Sequence, residues 1–337
     1  MEFQHLREKW IQFFDVKSDV RTMVQVYYTP GLYGRPLPLP DNEDQRVDWA
    51  LRRYESMCEA KKVIDDDVIP FLSPYTGTEI FAAAFGCKVH YPVDNMPFAL
   101  PRIHSAEEVR AIRRPSHMAP PLERTFRIAR RLKEAYPDAL IQLPDIQSPF
   151  DIAALIWEKG DFYPACIEEP EAVEDLCHMV EEVLVKFLDA WFAEFGTDYI
   201  AHFPDYFMRG GMTLSEDEAG SVSPAVFERM CLPALIRLSK RYGGLSFHSC
   251  ANSEHQWENF KKIPDLRLVN LNQPEAVIDR ARFVFRDVAA QLHHSGFPLA
   301  KEGWKRYGPE DAHVVLYAPA STEDDAKRML DIMKAQV

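Results

Sequence analysis

A histidine and a cysteine stand two positions apart directly after a short apolar segment. His248 and Cys250 follow residues 245–247, which are predicted to form a buried strand. Because alternate side chains of a strand point to opposite faces, these two side chains should lie on one side of the strand's carboxyl end. Imidazole nitrogen and thiolate sulfur are both zinc ligands. The pattern therefore predicts half of a metal site, and its alternative is a buried cysteine beside a hydrogen-bonded histidine.

Other polar side chains suited to acid–base chemistry follow two further predicted segments. His202 and Asp205 come after a predicted strand, and Asp217 lies in a polar loop between Glu216 and Glu218. Carboxylates and imidazoles are the commonest groups that move protons in enzymes. We expect Asp217 to bind substrate or to act as a base, and His202 with Asp205 to form an acid–base pair. The alternatives are a solvated acidic loop and a helix-capping contact.

Composition limits the class of protein. The chain has 337 residues, of which 47% are hydrophobic and 27% charged, with a net charge of −13. The negative charge and the lack of a basic block argue against nucleic-acid binding. No stretch is long and apolar enough to span a membrane, and the first residues lack the apolar core of a signal peptide, so we expect a cytoplasmic protein. The six scattered cysteines are expected to be free thiols.

Predicted strands and helices alternate along the whole chain. This alternation is typical of a parallel sheet with crossover helices, and seven or eight such units in 337 residues predict a (β/α)8 barrel. We expect one domain, residues 1–337, with an N-terminal helical extension at 2–15. Chemistry in such barrels lies at the carboxyl ends of the strands. The main predicted strands are 22–28, 67–72, 139–143, 199–203, 245–247, 266–271 and 314–318, and the main later helices are 44–62, 121–136, 170–195, 223–241 and 274–294.

Three stretches carry a resemblance to a known family. They are PDIQSPF at 144–150, the helix entry Ser223-Pro224 with Phe227 and Pro233, and HSCAN at 248–252. On these residues the chain resembles the uroporphyrinogen decarboxylase-like superfamily over most of its length. That group contains the decarboxylases of haem synthesis and zinc- and corrinoid-linked methyltransferases. The resemblance implies a barrel fold; activity must be judged from the site, because barrels host many chemistries.

The methyltransferase branch of this superfamily has zinc ligands at H-x-C and at a later cysteine on the last strand. His248 and Cys250 match the first two, with Ala251 in place of the usual glycine, but residues 317–321 contain no cysteine. The resemblance implies methyl transfer between a small substrate and a corrinoid on a separate carrier protein, with zinc activating a thiolate or an ether oxygen. The candidates for the missing third ligand are Asp217, Glu216, His202 and His255.

Two other functions remain open. The decarboxylase branch has an arginine-rich stretch, which residues 31–38 match only in part, at Gly34, Arg35, Leu37 and Pro38, and its aspartate after the second strand has no counterpart in residues 71–75. A metal-free binding protein on the same scaffold is the third alternative. The candidate substrate-binding residues are Arg35, Tyr75, Glu216 and Asn252.

Overall fold

The computed structural model describes residues 3–15, 17–198, 200–293 and 312–335. The α-helices in these ranges are α1 (Gln4–Phe13), α2 (Glu43–Lys61), α3 (Ile80–Ala84), α4 (Ala106–Ala111), α5 (Pro120–Ala135), α6 (Pro149–Ile156), α7 (Lys159–Glu168), α8 (Pro170–Phe195), α9 (Pro224–Met230), α10 (Leu232–Tyr242), α11 (Trp257–Phe260), α12 (Glu275–Phe285) and α13 (Glu323–Lys334). The strands are β1 (Thr22–Tyr27), β2 (Phe71–Leu72), β3 (Lys88–His90), β4 (Phe98–Leu100), β5 (Leu140–Ile141), β6 (Ile200–His202), β7 (Tyr206–Met208), β8 (Met212–Ser215), β9 (Leu245–Ser249), β10 (Leu266–Leu271), β11 (Ala290–Leu292) and β12 (Val314–Pro319).

Eight parallel strands form the wall of a (β/α)8 barrel, which confirms the predicted fold. Six of them pair in the order β1-β12-β11-β10-β9-β8, and β2 pairs with β5. A parallel bridge between Gln147 and Ser215 joins the segment after β5 to β8. The Asp67 amide donates to the Val24 carbonyl at 2.7 Å and joins the segment before β2 to β1. Strands β6 and β7 form an antiparallel hairpin that is inserted before β8.

The N-terminal helix α1 packs against the amino-terminal ends of the barrel strands. Its buried residues Leu6, Trp10 and Phe13 recur at helical spacing. They belong to one apolar cluster with Met23 of β1 and Val315 of β12, which stand near the start of their strands. The predicted N-terminal extension therefore covers this end of the barrel. The opposite end, where the strands finish, is called the mouth below.

Two buried carboxylates join β1 to the segment that precedes β2. Asp67 Oδ2 accepts a hydrogen bond from the Val24 amide at 2.7 Å, and Asp66 Oδ2 accepts one from the Val26 amide at 2.8 Å. Lys9 of α1 reaches Asp67 Oδ1 at 2.6 Å. The two carboxylates therefore accept hydrogen bonds from amides of β1 that would otherwise bind a neighbouring strand.

Replacing Asp67 with alanine is expected to lower the free energy of unfolding by about 3 kcal/mol. The change leaves the buried Val24 amide without its acceptor, which costs the full desolvation of that group, and the 40% exposed Lys9 side chain also loses its partner. Urea unfolding measures it. Asp65→Ala is the matched control, because the Asp65 side chain is 91% exposed beside Lys334, and it should cost less than about 1 kcal/mol. Equal losses in the two variants would contradict this role for Asp67.

Three predicted elements differ from the observed ones. Residues 274–294 were predicted as one helix, but α12 ends at Phe285 and the short strand β11 follows; residue 294 lies outside the described ranges. A three-residue buried strand has no period that separates it from a helix. The predicted helix 223–241 is divided into α9 and α10, and Pro233, in the first turn of α10, has no amide to continue the first helix. The predicted polar loop 210–223 contains β8.

The length and apolar character of a helix decide whether it can span a membrane. In the described part of the chain, none combines enough length with enough apolar character to cross a bilayer.

Candidate functional site

The sequence-predicted pair lies at the end of β9, where the strand reaches the mouth. All five residues of β9 are buried, whereas Cys250 is exposed directly after it. His248 Nε2 lies 3.1 Å from Cys250 Sγ. The two side chains therefore share one side of the strand end, as the period of two predicts.

The neighbouring strand fixes the orientation of the His248 ring. Its Nδ1 contacts Asn270 Oδ1 on β10, and the Asn270 amide group donates to the Leu292 carbonyl on β11. With the Nδ1 hydrogen directed at Asn270, Nε2 is left to face the sulfur. Burial lowers the pKa of His248, but hydrogen bonds to Cys250 and Asn270 and the nearby charges of Cys250 and Asp145 outweigh it, so the pKa is raised.

Two carboxylates flank this pair. Asp217 Oδ1 accepts a hydrogen bond from the Cys250 amide at 2.5 Å. Asp145 Oδ1 accepts one from the Ser215 hydroxyl at 2.7 Å, and its charge acts on His248. Burial raises the pKa of Asp145, while Ser215 and His248 oppose that rise. Asp145 was missed as a site residue, although it follows the predicted strand 139–143 just as His248 follows its own strand.

Asp151 of α6 holds the backbone that carries Asp217. Its Oδ2 accepts from the Asp217 amide at 2.8 Å and its Oδ1 from the Glu218 amide at 2.9 Å. The helix begins at Ser148, whose hydroxyl accepts from the Asp151 amide at 3.0 Å. Asp151 is 1% exposed. Asp151, which directly follows the stretch 144–150 that carries the family resemblance, therefore fixes the backbone position of Asp217.

Glu216 points away from the mouth, which corrects its prediction as a substrate-binding residue and as a metal ligand. Successive side chains alternate after β8, so Ser215 and Asp217 face the mouth side while Glu216 turns toward Asp151. Its side chain is fully buried. Burial raises the pKa of both Glu216 and Asp151, and the charge of Glu216 raises that of Asp151 further.

Asp205 lies on the opposite wall of the mouth. Its Oδ2 accepts from Arg53 Nη2 and its Oδ1 from Gln142 Nε2, both at 2.9 Å. The residue has a φ of 94°, a left-handed conformation that non-glycine residues rarely adopt and that often marks a functional position. Phe203, two residues earlier, packs edge-on against the His248 ring at 5.1 Å. Arg53 was not predicted, because nothing in the pattern of α2 distinguishes it from other helix arginines.

The structure does not form the predicted acid–base pair of His202 and Asp205. The His202 ring is fully buried, stacks on Tyr206 and lies 3.1 Å from Thr213 Oγ1 through its Nδ1, while Asp205 turns to Arg53. Successive side chains of the hairpin diverge, and the ring joins the apolar interior instead of the mouth. Burial lowers the pKa of His202 to about 3.

This buried histidine predicts a loss of stability in mild acid. Below pH 6.5 the unfolded chain binds a proton at His202 that the folded chain refuses, so stability falls as the pH falls from about 6.5 toward 3. Between pH 8 and pH 5 the loss from this group is about 2 kcal/mol. Urea unfolding of the wild type and His202→Phe at both pH values measures it. An unchanged pH dependence in the variant would contradict the buried neutral ring.

The remaining predicted residues lie in different places. Arg35 stacks over the Tyr75 ring at 4.5 Å, so these two candidates are brought together, and the Arg35 charge is felt by Asp205. Asn252 is exposed and accepts from the Glu254 amide at 3.5 Å. His255 faces the Val222 carbonyl at 2.9 Å through its Nε2 and not the pair. Neither Asn252 nor His255 is hydrogen-bonded to His248 or Cys250.

The donor chemistry of the pair fits zinc, which prefers imidazole nitrogen and thiolate sulfur. The exposed Cys250 sulfur is open to the mouth. Within the described ranges, no three His, Cys, Asp or Glu side chains stand in positions that could hold a metal together. The pair therefore supplies two donors, and Asp217, bound to the Cys250 amide, is the predicted third-ligand candidate that lies beside it.

Comparisons with known proteins agree with this architecture. A search of curated proteins found no match to the sequence. A solved structure of a methyltransferase from Methanosarcina mazei superposes with a TM-score of 0.67 over 98% of both chains, at 14% sequence identity, which supports the fold alone. The model of the uroporphyrinogen decarboxylase (URO-D) family matches residues 74–291, almost two thirds of the chain and including β9. The chain therefore belongs to the uroporphyrinogen decarboxylase family.

Proposed function

We propose that this protein is a methyltransferase-type enzyme of its family, moving a methyl group between a small substrate and a corrinoid held by a separate carrier protein. The observation that supports it most is the 3.1 Å contact between His248 Nε2 and Cys250 Sγ at the mouth. A thiol and an imidazole in this position suit the handling of a sulfur or oxygen nucleophile.

Zinc would be held by His248 and Cys250, with Asp217 as the candidate third ligand, and would act there as a Lewis acid toward a substrate thiol or ether oxygen. Other residues of the chain orient these two ligands. Asn270 keeps His248 Nε2 aimed at the sulfur, and Asp217 holds the amide of Cys250. With its Nδ1 hydrogen directed at Asn270, the neutral His248 ring would keep Nε2 unprotonated for zinc.

The opposite wall would bind the substrate. Phe203 covers one side of His248, and Asp205 is held by Arg53 and Gln142 with its carboxylate side chain 30% exposed. Such a fixed carboxylate can accept a hydrogen bond from a substrate without first reorganising. Arg35, stacked on Tyr75, adds a cation to the same side.

Methylcobalamin with a panel of small thiols tests the proposal. In the forward step the thiol sulfur forms a bond to the methyl carbon, the cobalt–carbon bond breaks with its electron pair left on cobalt, and the thiol proton leaves to a base. With added zinc, wild-type protein should consume methylcobalamin and release methyl thioether, followed by absorbance and mass spectrometry. His248→Ala should lose this activity. No transfer by the zinc-supplemented wild type in either direction would sink the proposal.

The two alternatives predict different results. A decarboxylase needs several accessible guanidinium groups to bind substrate carboxylates, but Arg53 is buried and paired with Asp205, whereas Arg35 is exposed. A metal-free binding protein would retain no zinc and transfer no methyl group. The first alternative is checked with a tetrapyrrole carboxylate as substrate, and the second by the metal content of the purified chain.

A further inference from the structure

A polar cavity of about 60 Å³ lies away from the His248–Cys250 pair. It is bounded by α2, by α5, by the segment that precedes α3 and by the hairpin β3–β4. Its polar lining comes from Arg46, Thr76, Glu79, Arg124 and Thr125. A volume of this size has room for roughly four water-sized groups.

Four buried polar atoms around this cavity have no hydrogen-bond partner in the protein. They are Arg46 Nε, Thr76 Oγ1, Glu79 Oε2 and Thr125 Oγ1. Each of these residues is more than nine-tenths buried, with exposures of 5%, 8%, 6% and 1%. Buried polar groups are nearly always satisfied, so several unsatisfied groups around one cavity indicate a binding site.

The charges of the lining show which ligand it suits. The charges of two guanidinium groups, Arg46 and Arg124, act on the carboxylate of Glu79. A further carboxylate that acts on Arg46, Glu43, is paired with other arginines of α5, which leaves an excess of positive charge. Burial, followed by the charge of Arg124, lowers the pKa of Arg46 to about 10. Burial raises the pKa of Glu79, which weakens it further as a counter-ion. Water could satisfy the hydroxyl groups, but it would not neutralise the second guanidinium.

The local backbone keeps the cavity open and connects it to the mouth. A Cβ built at Gly77 would lie 1.9 Å from Glu79 Oε2, so a side chain there would displace the carboxylate from the wall. Arg46 Nη2 donates to the carbonyl of Tyr75, the residue that stacks under Arg35. A ligand bound to Arg46 would therefore be connected, through Tyr75, to Arg35 and the other residues that are proposed to bind the substrate.

We propose that this cavity is a binding site for a small oxyanion, a phosphate or carboxylate group, held by Arg46 and Arg124 with the hydroxyls of Thr76 and Thr125. Arginine forks match the geometry of both anions, and threonine hydroxyls donate to the remaining oxygens. None of these residues takes part in the proposed methyl transfer, so this site stands or falls separately.

Calorimetric titration and melting curves of the full chain with inorganic phosphate, and separately with acetate, test the site against sodium chloride at equal ionic strength. We expect saturable binding with a Kd in the millimolar range or tighter, and a melting temperature that rises with the anion but not with chloride. Binding of phosphate alone would identify a phosphate-type ligand, and binding of acetate alone a carboxylate.

Arg124→Gln is expected to weaken binding at least tenfold, and Thr125→Val, which keeps the shape of a buried residue, should weaken it less. Arg130→Gln is the matched control, because Arg130 lies on the same helix but pairs with Glu194. It should bind like the wild type. The proposal would be overturned if phosphate and acetate had no more effect than chloride, as expected of a cavity filled only by water. It would also be overturned if Arg124→Gln bound the anions as tightly as the wild type.

Discussion

Replacing Cys250 with alanine is expected to remove zinc from the protein and to abolish methyl transfer. Cys250 is the sulfur donor of the proposed site, and its sulfur lies 3.1 Å from the other donor, His248 Nε2. If structural zinc binding of 10–16 kcal/mol is spread over four ligands, loss of one lowers the affinity by roughly 10²–10³-fold. Competition with a zinc-binding dye measures the change.

Cys58→Ala is the matched control for this variant. Cys58 is half-buried in α2 and, like Cys250, is not part of a disulfide. Its replacement should leave zinc affinity and methyl transfer within about twofold of the wild type, because it removes a thiol without touching the pair. If the two cysteine variants lost zinc equally, the metal would not be bound at the end of β9.

Replacing Asp151 with alanine is expected to lower the free energy of unfolding by about 3–5 kcal/mol, because the two amides of Asp217 and Glu218 both lose their buried acceptor. It should also weaken zinc binding, although neither His248 nor Cys250 changes. The reason is that Asp151 sets the backbone position of Asp217, which in turn holds the Cys250 amide. Urea unfolding and the dye competition measure the two effects.

Two further variants separate the positioning role from general damage. Asp161→Ala removes a half-exposed aspartate of the neighbouring α7 that faces His104 at 3.5 Å, and it should change stability by less than about 1 kcal/mol. Glu216→Gln keeps a hydrogen-bonding group beside Asp151 and should retain more stability than Asp151→Ala. An Asp151→Ala protein with wild-type stability and zinc affinity would contradict the proposed positioning role.

Most of the fold could be predicted because its signals are local. The helix predicted at 170–195 is observed as Pro170–Phe195, between a proline that starts it and a glycine that ends it. The strand predicted at 266–271 is observed with the same limits. The strands β11 and β8 were missed because three or four residues buried in a sheet carry no period of their own; only pairing with neighbouring strands reveals them.

The sequence predicts the site where the direction of a side chain follows from its position in a strand. It does not predict contacts between residues that are far apart in the chain. His248 and Cys250 share one side because they are two residues apart on a strand. Alternation of side chains also directs Asp217 to the mouth and Glu216 away from it. These directions follow from the end of β8 at Ser215, which the sequence does not reveal. The contacts of Asp205 with Arg53, 152 residues away, and of Asp151 with Asp217, 66 residues away, leave no signal in a single sequence.

X-ray absorption at the zinc edge of the wild-type protein, purified without chelator and loaded with one equivalent of zinc, tests the central claim most directly. A centre built on His248 and Cys250 predicts one sulfur neighbour at about 2.3 Å, with the remaining first-shell atoms nitrogen or oxygen at about 2.0–2.2 Å. The sulfur neighbour should disappear in Cys250→Ala. Failure to retain zinc, or a first shell without sulfur in the wild type, would contradict the proposed centre.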